Sequence, residues 1–388
     1  MLPSFDNTEI AFRYKTTSEL KQAQFLFSTM NFPTVSSLGM KFTQWAMKVG
    51  LPVKAAVKNT IFKQFCGGEN LQEAAQTANK MEQYHMGVIL DYSVEGKEGE
   101  DEFDKAVPEF LKAIKHAATE PNIPFTCIKI TGFARFALLE KIHSDETLTV
   151  QEQEEWQRVF NRVETICRAG KEHNIMVLID AEETWIQHAV NLLADAMMEK
   201  FNKEKAFIYN TYQLYCHTTL AWLKNSYQDA LTKGYILGAK LVRGAYMEKE
   251  RARAASKGYP SPIQLNKQAT DTDYNAASLF CLQHLDTISV FIGTHNENSC
   301  MLAAQYMEEH QIPYNTPKVY FSQLFGMSDN ISFNLANAGY NVAKYMPYGP
   351  VKDVVPYLMR RAQENTSVAG QTGRELSLIN KELKRRKG

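Results

Sequence analysis

The sequence predicts an α/β fold in which eight parallel strands alternate with helices and close into a (β/α)8 barrel. Eight short, β-branched apolar runs recur between residues 86 and 349, mostly separated by enough chain for a helix. Polar residues stand at the carboxyl end of almost every run. The chain has neither a G-x-G-x-x-G turn nor a Walker A motif, so the alternative, a doubly wound open sheet, is less favoured.

The first 80 residues are predicted to be a helical region. Residues 18–30, 36–50 and 53–65 carry apolar side chains at helical spacing, Gly67 and Gly68 end the third segment, and a fourth helix follows. The domain prediction is therefore an N-terminal helical region over 1–80, a barrel over 81–370 and a basic tail over 371–388. The terminal "NKELKRRKG" is expected to be a solvated, frayed end.

The predicted strands are mostly apolar throughout, as expected for parallel strands that are buried on both faces. They span residues 86–93, 125–132, 175–183, 206–213, 237–246, 288–296, 317–326 and 340–349. Helices are predicted between most of them, for example over 154–173 and 270–286, and a last helix over 350–365.

Polar side chains at the strand ends indicate a site, because a barrel brings these ends to one mouth. They are Asp91, Lys129, Asp180, Asn210, Lys240, Arg243, His295, Asn296, Ser322, Gln323, Lys344 and Tyr345. Each has an ordinary explanation when taken alone. Lys129 could extend along the helix layer, Asp180 could cap the next helix ahead of Glu182 and Glu183, and His295 could be a bonded core residue. Their recurrence at eight consecutive strand ends favours a site with cationic and anionic members.

The last predicted helix presents two faces. Val351, Val355 and Met359 form one apolar row, and Val354, Leu358 and Ala362 form the next. The opposite face carries Tyr357, Arg360, Arg361 and Glu364. That face is either solvated, with a weak Arg360–Glu364 pair, or turned toward the mouth, where two guanidinium groups would hold a carboxylate or phosphate. The spacing is compatible with both.

Seven motifs in order, "LIDAEE", "NTYQ", "KLVRGAY", "GTHN", "QLFGM", "YMPYG" and "YLMRRAQEN", resemble those of proline dehydrogenase, the flavoenzyme that oxidises L-proline to Δ1-pyrroline-5-carboxylate. The resemblance covers about residues 60–370 and is closest to the single-function, eukaryotic-type branch. It implies a distorted (β/α)8 TIM barrel that binds FAD non-covalently at the strand carboxyl ends. It also implies that the last helix lies over the barrel mouth, above the flavin.

The resemblance implies a cationic grip on the proline carboxylate. Arg360 and Arg361 would form it, Lys129 would add a third positive charge, and Glu364 would pair with one arginine.

The pyrrolidine ring has its own implied contacts. Tyr345 and Tyr357 would wall the pocket, Leu324 would pack on the ring, and Asp180 would lie at the flavin and substrate edge beside Ala181. Tyr345 favours proline over hydroxyproline, because the hydroxyproline-oxidising relatives have a smaller residue there.

The FAD positions follow from the same resemblance. They are Ala181, Asn210, Lys240, Val242, Gly244, Ala245, Tyr246, Lys267, Thr270, Thr294, His295 and Asn296. Related bifunctional enzymes have Gln in place of Asn210 and Arg in place of Lys240. Lysine donates hydrogen bonds but not as a planar fork, so the flavin potential is expected to differ.

The implied reaction is hydride transfer from proline C5 to FAD N5, followed by electron transfer to a quinone. The implied partners are L-proline, the quinone, pyrroline-5-carboxylate dehydrogenase in transient contact, and a membrane surface in peripheral contact.

Lys+Arg and Asp+Glu each total 43, which argues against nucleic acid as the main partner. The six cysteines include no C-x-x-C pair, and neither a targeting segment nor an apolar run of about 20 residues is evident. A cytoplasmic enzyme, peripheral on a bacterial-type inner membrane, is therefore expected.

Two other functions remain open from the residues. A flavin-free barrel enzyme could form a Schiff base on Lys129 or Lys240, and would then be colourless. Alternatively, residues 1–80 could be a helical binding module for which the barrel is only a scaffold.

Overall fold

The computed structural model of the 388-residue chain describes residues 2–30, 57–92, 99–351, 353–354, 358 and 371–388. The strands within these ranges are β1 Met86–Tyr92, β2 Phe125–Ile128, β3 Met176–Ile179, β4 Ile208–Gln213, β5 Leu237–Val242, β6 Ile288–Gly293, β7 Val319–Leu324 and β8 Val342–Tyr348. They follow one another in sequence order around a closed barrel. The predicted barrel and its eight strands are confirmed.

Helices precede, separate and follow the strands. They are α1 Thr8–Phe12, α2 Thr17–Met30, a π-helical turn Lys58–Phe62, α3 Lys63–Phe65, α4 Leu71–Glu82, α5 Glu100–Ala117, a 3-10 turn Ile130–Gly132, α6 Phe136–His143, α7 Val150–Glu172, α8 Thr184–Phe201, α9 Thr219–Lys233, α10 Met247–Lys257, α11 Lys267–Gln283, α12 Glu297–Glu309, α13 Asp329–Asn337 and α14 Gln371–Arg385. The helix predicted over 36–50 lies outside the described residues. No helix in the described ranges has the length and apolar character that a bilayer crossing needs.

The strands pair in parallel and are buried on both faces. β1 pairs with β8 from Met86 opposite Val342 to Tyr92 opposite Tyr348. Every residue of β4 and of β8 is buried, including the polar residues Asn210, Thr211, Gln213 and Lys344.

The chain divides into two compact units, and each is described by itself. Unit 1 comprises Met1–Glu95 and Gln323–Gly388, and unit 2 comprises Gly96–Ser322. In unit 2, local signals set the helix ends. Thr149 and Glu152 form a capping box at the start of α7, and Gly234 ends α9 in the left-handed region. The predicted boundaries at residues 80 and 370 stay a prediction.

A second core lies in unit 1, where the N-terminal helices meet the C-terminal helix. Phe12, Phe27 and Phe65 belong to the same buried cluster as Leu378 and Ile379 of α14. The prediction of a solvated, frayed end over 380–388 is wrong, because α14 continues to Arg385 and both Glu382 and Leu383 are buried.

The last predicted helix lies mostly outside the described residues. Val351, Val354 and Leu358 are described and are buried in the unit 1 core, as their apolar spacing predicts. Tyr357, Arg360, Arg361 and Glu364 fall in the part of the chain that the structure does not describe.

Candidate active site

Three charged side chains meet at the carboxyl ends of strands in unit 2. Asp180 directly follows β3, Lys129 follows β2, and Lys240 lies in β5. The Lys240 Nζ donates to Asp180 Oδ1 at 2.5 Å, and Lys129 Nζ lies 3.3 Å from Asp180 Oδ2. Lys240 and Asp180 are buried, while the Lys129 side chain is about a quarter exposed. One carboxylate therefore joins two ammonium groups, which leaves this cluster with a net positive charge.

This geometry decides between the two interpretations of Asp180 and of Lys129. Glu183, not Asp180, occupies the N-cap position of α8, and its side chain makes no capping hydrogen bond. Lys129 does not extend along the helix layer, because its ammonium group pairs with Asp180.

Glu182 is a buried polar residue that the sequence indicates only as one of two glutamates between Asp180 and the next helix. Its carboxylate accepts hydrogen bonds from the backbone N–H and the hydroxyl of Thr131, and its backbone carbonyl accepts from Gln213 Nε2 at 2.7 Å. It thus ties the segment after Lys129 to the loop after Asp180. Burial raises the pKa of Glu182 to about 7, although the Thr131 bonds and the Lys129 charge lower it. Nothing in the local pattern "AEET" distinguishes this glutamate from a solvated one.

Glu182→Gln is expected to change how stability depends on pH. A carboxyl group whose pKa is raised by folding binds more protons in the folded chain than in the unfolded chain. The wild type should therefore lose stability as pH rises from about 4.5 to about 7, and the Gln variant should lack this contribution. Urea unfolding at pH 5, 6, 7 and 8 measures it. Parallel curves for the two proteins would contradict the assignment.

A second polar cluster forms around Arg243, which directly follows β5. Its guanidinium donates to Asp271 Oδ1 at 2.8 Å, to Thr294 Oγ1 at 2.6 Å and to Ser299 Oγ at 3.0 Å. It also lies 4.3 Å from the centre of the Tyr274 ring. These bonds connect the ends of β5 and β6 to α11 and α12. The sequence placed Arg243 among the polar groups at the strand ends, and its position directly after β5 agrees with that prediction.

The remaining residues predicted to bind FAD lie in unit 2 and differ in exposure. Lys267, at the first turn of α11, is exposed and pairs with Asp271. Asn296 caps α12 by accepting from Ser299 N–H at 3.1 Å. Asn210 is fully buried and donates to Asn191 Oδ1 at 3.3 Å. The others are exposed (Gly244, Ala245), half-buried (Ala181, Val242, Tyr246, His295) or buried (Thr270).

Gly244 has a backbone conformation that other residues rarely adopt, with φ of +136°. A Cβ there would lie 2.4 Å from the Tyr215 ring. Gly244→Ala is therefore expected to lower the free energy of unfolding by at least about 2 kcal/mol. Gly132→Ala is the control, because a Cβ at Gly132 meets no atom within 4 Å. Equal urea midpoints for the two variants would contradict the expected strain.

Two predicted substrate residues lie in unit 1. Leu324 ends β7 and is partly buried, and Tyr345 lies within β8 and is buried. Lys344 directly precedes Tyr345 and was predicted as one of the strand-end polar groups. It is 1% exposed and pairs with Asp329 at 2.9 Å. Successive strand residues point to opposite faces, so Lys344 and Tyr345 have different surroundings.

Comparison with known proteins places this chain in a family. The model of the proline dehydrogenase family matches residues 74–374. Proline dehydrogenase 1, mitochondrial, of Dictyostelium discoideum is 32% identical over 96% of this chain and 73% of its own length. Proline dehydrogenase 2, mitochondrial, of Arabidopsis thaliana is 32% identical over 85% and 78%.

A solved structure supports the fold alone. Proline utilization A from Bdellovibrio bacteriovorus, inactivated by N-propargylglycine, superposes with a TM-score of 0.74 at 21% identity. The match covers 97% of this chain, which spans only 39% of that one.

The expected cytoplasmic localisation is contradicted by the relatives. The Dictyostelium and Arabidopsis enzymes are both named as mitochondrial. The expectation relied on the absence of an evident targeting segment from the sequence.

Proposed function

We propose, because the chain belongs to the proline dehydrogenase family, that it oxidises L-proline to Δ1-pyrroline-5-carboxylate with bound FAD as the hydride acceptor. Membership of the family makes the protein an oxidoreductase of proline catabolism. The FAD, the atoms that react and the electron acceptor belong to the proposal.

The Lys129–Asp180–Lys240 cluster is the observation that carries the proposal. Proline has a carboxylate, and a partly buried cluster with net positive charge favours an anion. An ammonium group has three N–H donors, so Lys129 can bond Asp180 and a substrate carboxylate together. Asp180 would hold both lysines in place, and Lys129 would hold one end of the substrate.

The residues of unit 2 fit a flavin dinucleotide. The backbone at Gly244 is exposed, so a planar or phosphate group can approach it on a side that the Tyr215 ring does not cover. The amino ends of α11 and α12, together with Lys267, supply N–H groups and positive charge for a diphosphate. When bound, FAD would accept at N5 the hydride that leaves proline C5. Lys240 is proposed to contact the flavin ring, and Thr294, His295 and Asn296 its outer parts. Asn210 is fully buried, so its proposed influence on the flavin acts through its neighbours.

The remaining substrate contacts are proposed from the family resemblance. Arg360 and Arg361 would bind the carboxylate, while Leu324 and Tyr345 would enclose the ring. These contacts orient C5 toward the acceptor, and orientation within about 3–3.5 Å is what hydride transfer requires. A quinone is the proposed second acceptor, and pyrroline-5-carboxylate dehydrogenase is the proposed enzyme that receives the product.

A visible absorption spectrum of the purified protein tests the proposal. A yellow protein with a flavin band that is bleached by anaerobic L-proline, and restored by a water-soluble quinone, is the expected result. D-proline, with the same groups and opposite handedness, is the matched control and should bleach the band far more slowly. A colourless protein would refute the flavin, and borohydride trapping of a substrate on Lys129 or Lys240 would favour the Schiff-base enzyme instead.

A further inference from the structure

The loop between β7 and α13, residues 324–328, is shaped by two left-handed backbone positions. Gly326 has φ of +77° and Ser328 has φ of +49°. A Cβ on Gly326 would lie 1.9 Å from the carbonyl oxygen of Gln64, so only glycine fits there. The loop therefore runs in direct contact with the segment that contains α3.

Three side chains from distant parts of unit 1 hold the loop backbone. Gln64 Nε2 donates to the Gly326 carbonyl at 2.6 Å. Lys344 Nζ donates to the Met327 carbonyl at 2.6 Å. The carboxylate of Glu375, on α14, accepts from the N–H of Ser328. The loop is thus fixed by the N-terminal region, by β8 and by the C-terminal helix together.

Buried charges surround these contacts. Lys344 lies 2.9 Å from Asp329, whose other carboxylate oxygen accepts from the Tyr14 hydroxyl at 2.6 Å, and Lys15 lies 3.9 Å from the same oxygen. Lys344, Asp329 and Glu375 are each at most 5% exposed. Burial and the neighbouring Asp329 charge together raise the pKa of Glu375 to about 7, although the Ser328 bond and the Lys344 charge lower it. Such a cluster stabilises a fold no better than packed apolar residues do, so stability alone does not account for it.

The loop is also bonded to β8 at the residue proposed to wall the substrate pocket. The N–H of Phe325 donates to the carbonyl of Tyr345 at 2.9 Å. Movement of the loop would therefore displace Leu324 at its start and disturb Tyr345 at the same time.

We propose that Glu375, Lys344 and Gln64 are positioning residues that set substrate specificity, by holding residues 324–328 where Leu324 and Tyr345 enclose the pyrrolidine ring. The inference rests on the proposed function, since it takes these two residues as the ring contacts. It gives the C-terminal helix a role in choosing the substrate.

The test measures kcat/KM for two substrates and compares the two values. The ratio of kcat/KM for L-proline to kcat/KM for trans-4-hydroxy-L-proline does not depend on how much of the enzyme is folded. Glu375→Ala removes the acceptor for Ser328 N–H and is expected to lower this ratio about tenfold. Once residues 324–328 can move, Leu324 and Tyr345 lose contact with proline and leave room for the additional hydroxyl group of hydroxyproline. Glu375→Gln keeps an acceptor oxygen and should recover most of the ratio.

Glu382→Ala is the matched control. Glu382 lies on the same helix and is fully buried, but it pairs with Arg385 and Arg386 and makes no hydrogen bond or ion pair with the loop in the described residues. Its loss should lower the melting temperature and leave the ratio unchanged. Gln64→Ala, at a partly exposed position, should lower the ratio about threefold, and it decides the question if Glu375→Ala does not fold.

Lower ratios in the Glu375→Ala and Gln64→Ala variants, with an unchanged ratio in Glu382→Ala, support the inference. Unchanged ratios in all three, or an equal fall in all three, overturn it while leaving proline oxidation intact. A wild type that oxidises neither substrate refutes the proposed function, and this inference with it.

Discussion

Replacing Asp180 by Asn is expected to lower kcat/KM for proline on the order of 10²–10³-fold. The substitution removes the only negative charge of the Lys129–Asp180–Lys240 cluster. Asparagine has nearly the same size and shape as aspartate but carries no charge. Lys240, with a side chain only 7% exposed, then loses a partner at 2.5 Å. Breaking one side of a buried pair costs about 3–5 kcal/mol. The two ammonium groups would also repel each other, so Lys129 would no longer hold the position from which it reaches the substrate.

Steady-state kinetics and a flavin titration together measure this effect. Glu183→Gln is the matched control, because Glu183 follows the same strand and pairs at 2.8 Å with Lys249, whose side chain is 63% exposed. An exposed partner remains solvated, so this variant should change kcat/KM less than threefold. Equal losses in the two variants would show that the loop after β3, rather than the charge of Asp180, matters.

Replacing Arg361 by Met is expected to raise KM for proline by about two orders of magnitude and to leave the melting temperature near that of the wild type. Arg361 lies outside the described residues, so the expectation follows from the sequence pattern and the family. A guanidinium that grips a carboxylate makes charge-assisted, bidentate hydrogen bonds, and each is worth about 1.5–3 kcal/mol. Methionine fills similar volume without these donors.

Initial rates over a wide range of proline concentration separate KM from kcat in this variant. Arg251→Met is the control, because Arg251 is an exposed arginine on α10. It should behave as the wild type. An unchanged KM in Arg361→Met would remove that residue from the carboxylate grip and would favour the solvated interpretation of its helix face.

Much of the barrel was predictable because its signals are local. Most strands are short apolar runs with polar residues at or near their carboxyl ends, and both features are visible in ten residues of sequence. The wrong prediction for the C-terminal end shows the limit of this approach. The basic residues of "NKELKRRKG" suggested a solvated end, whereas Leu378, Ile379 and Leu383 pack in the unit 1 core.

The candidate site was predictable only as a set of residues. The sequence and the resemblance placed Lys129, Asp180 and Lys240 near strand ends, but not their contacts with one another. Asp180 and Lys240 are 60 positions apart, and periodicity says nothing about which of two lysines a carboxylate meets. Glu182 was missed for the same reason, because its partner Thr131 lies 51 positions away.

The sequence by itself indicated the number of strands, their positions along the chain and the chemical types at the strand ends, because burial and backbone preference act between near neighbours. The tertiary structure decided which charges are paired and which glutamates have a pKa that burial raises. It also decided how the N-terminal region and the C-terminal helix both contact residues 324–328. Those properties depend on distance and solvent exclusion between residues that only the folded chain brings together.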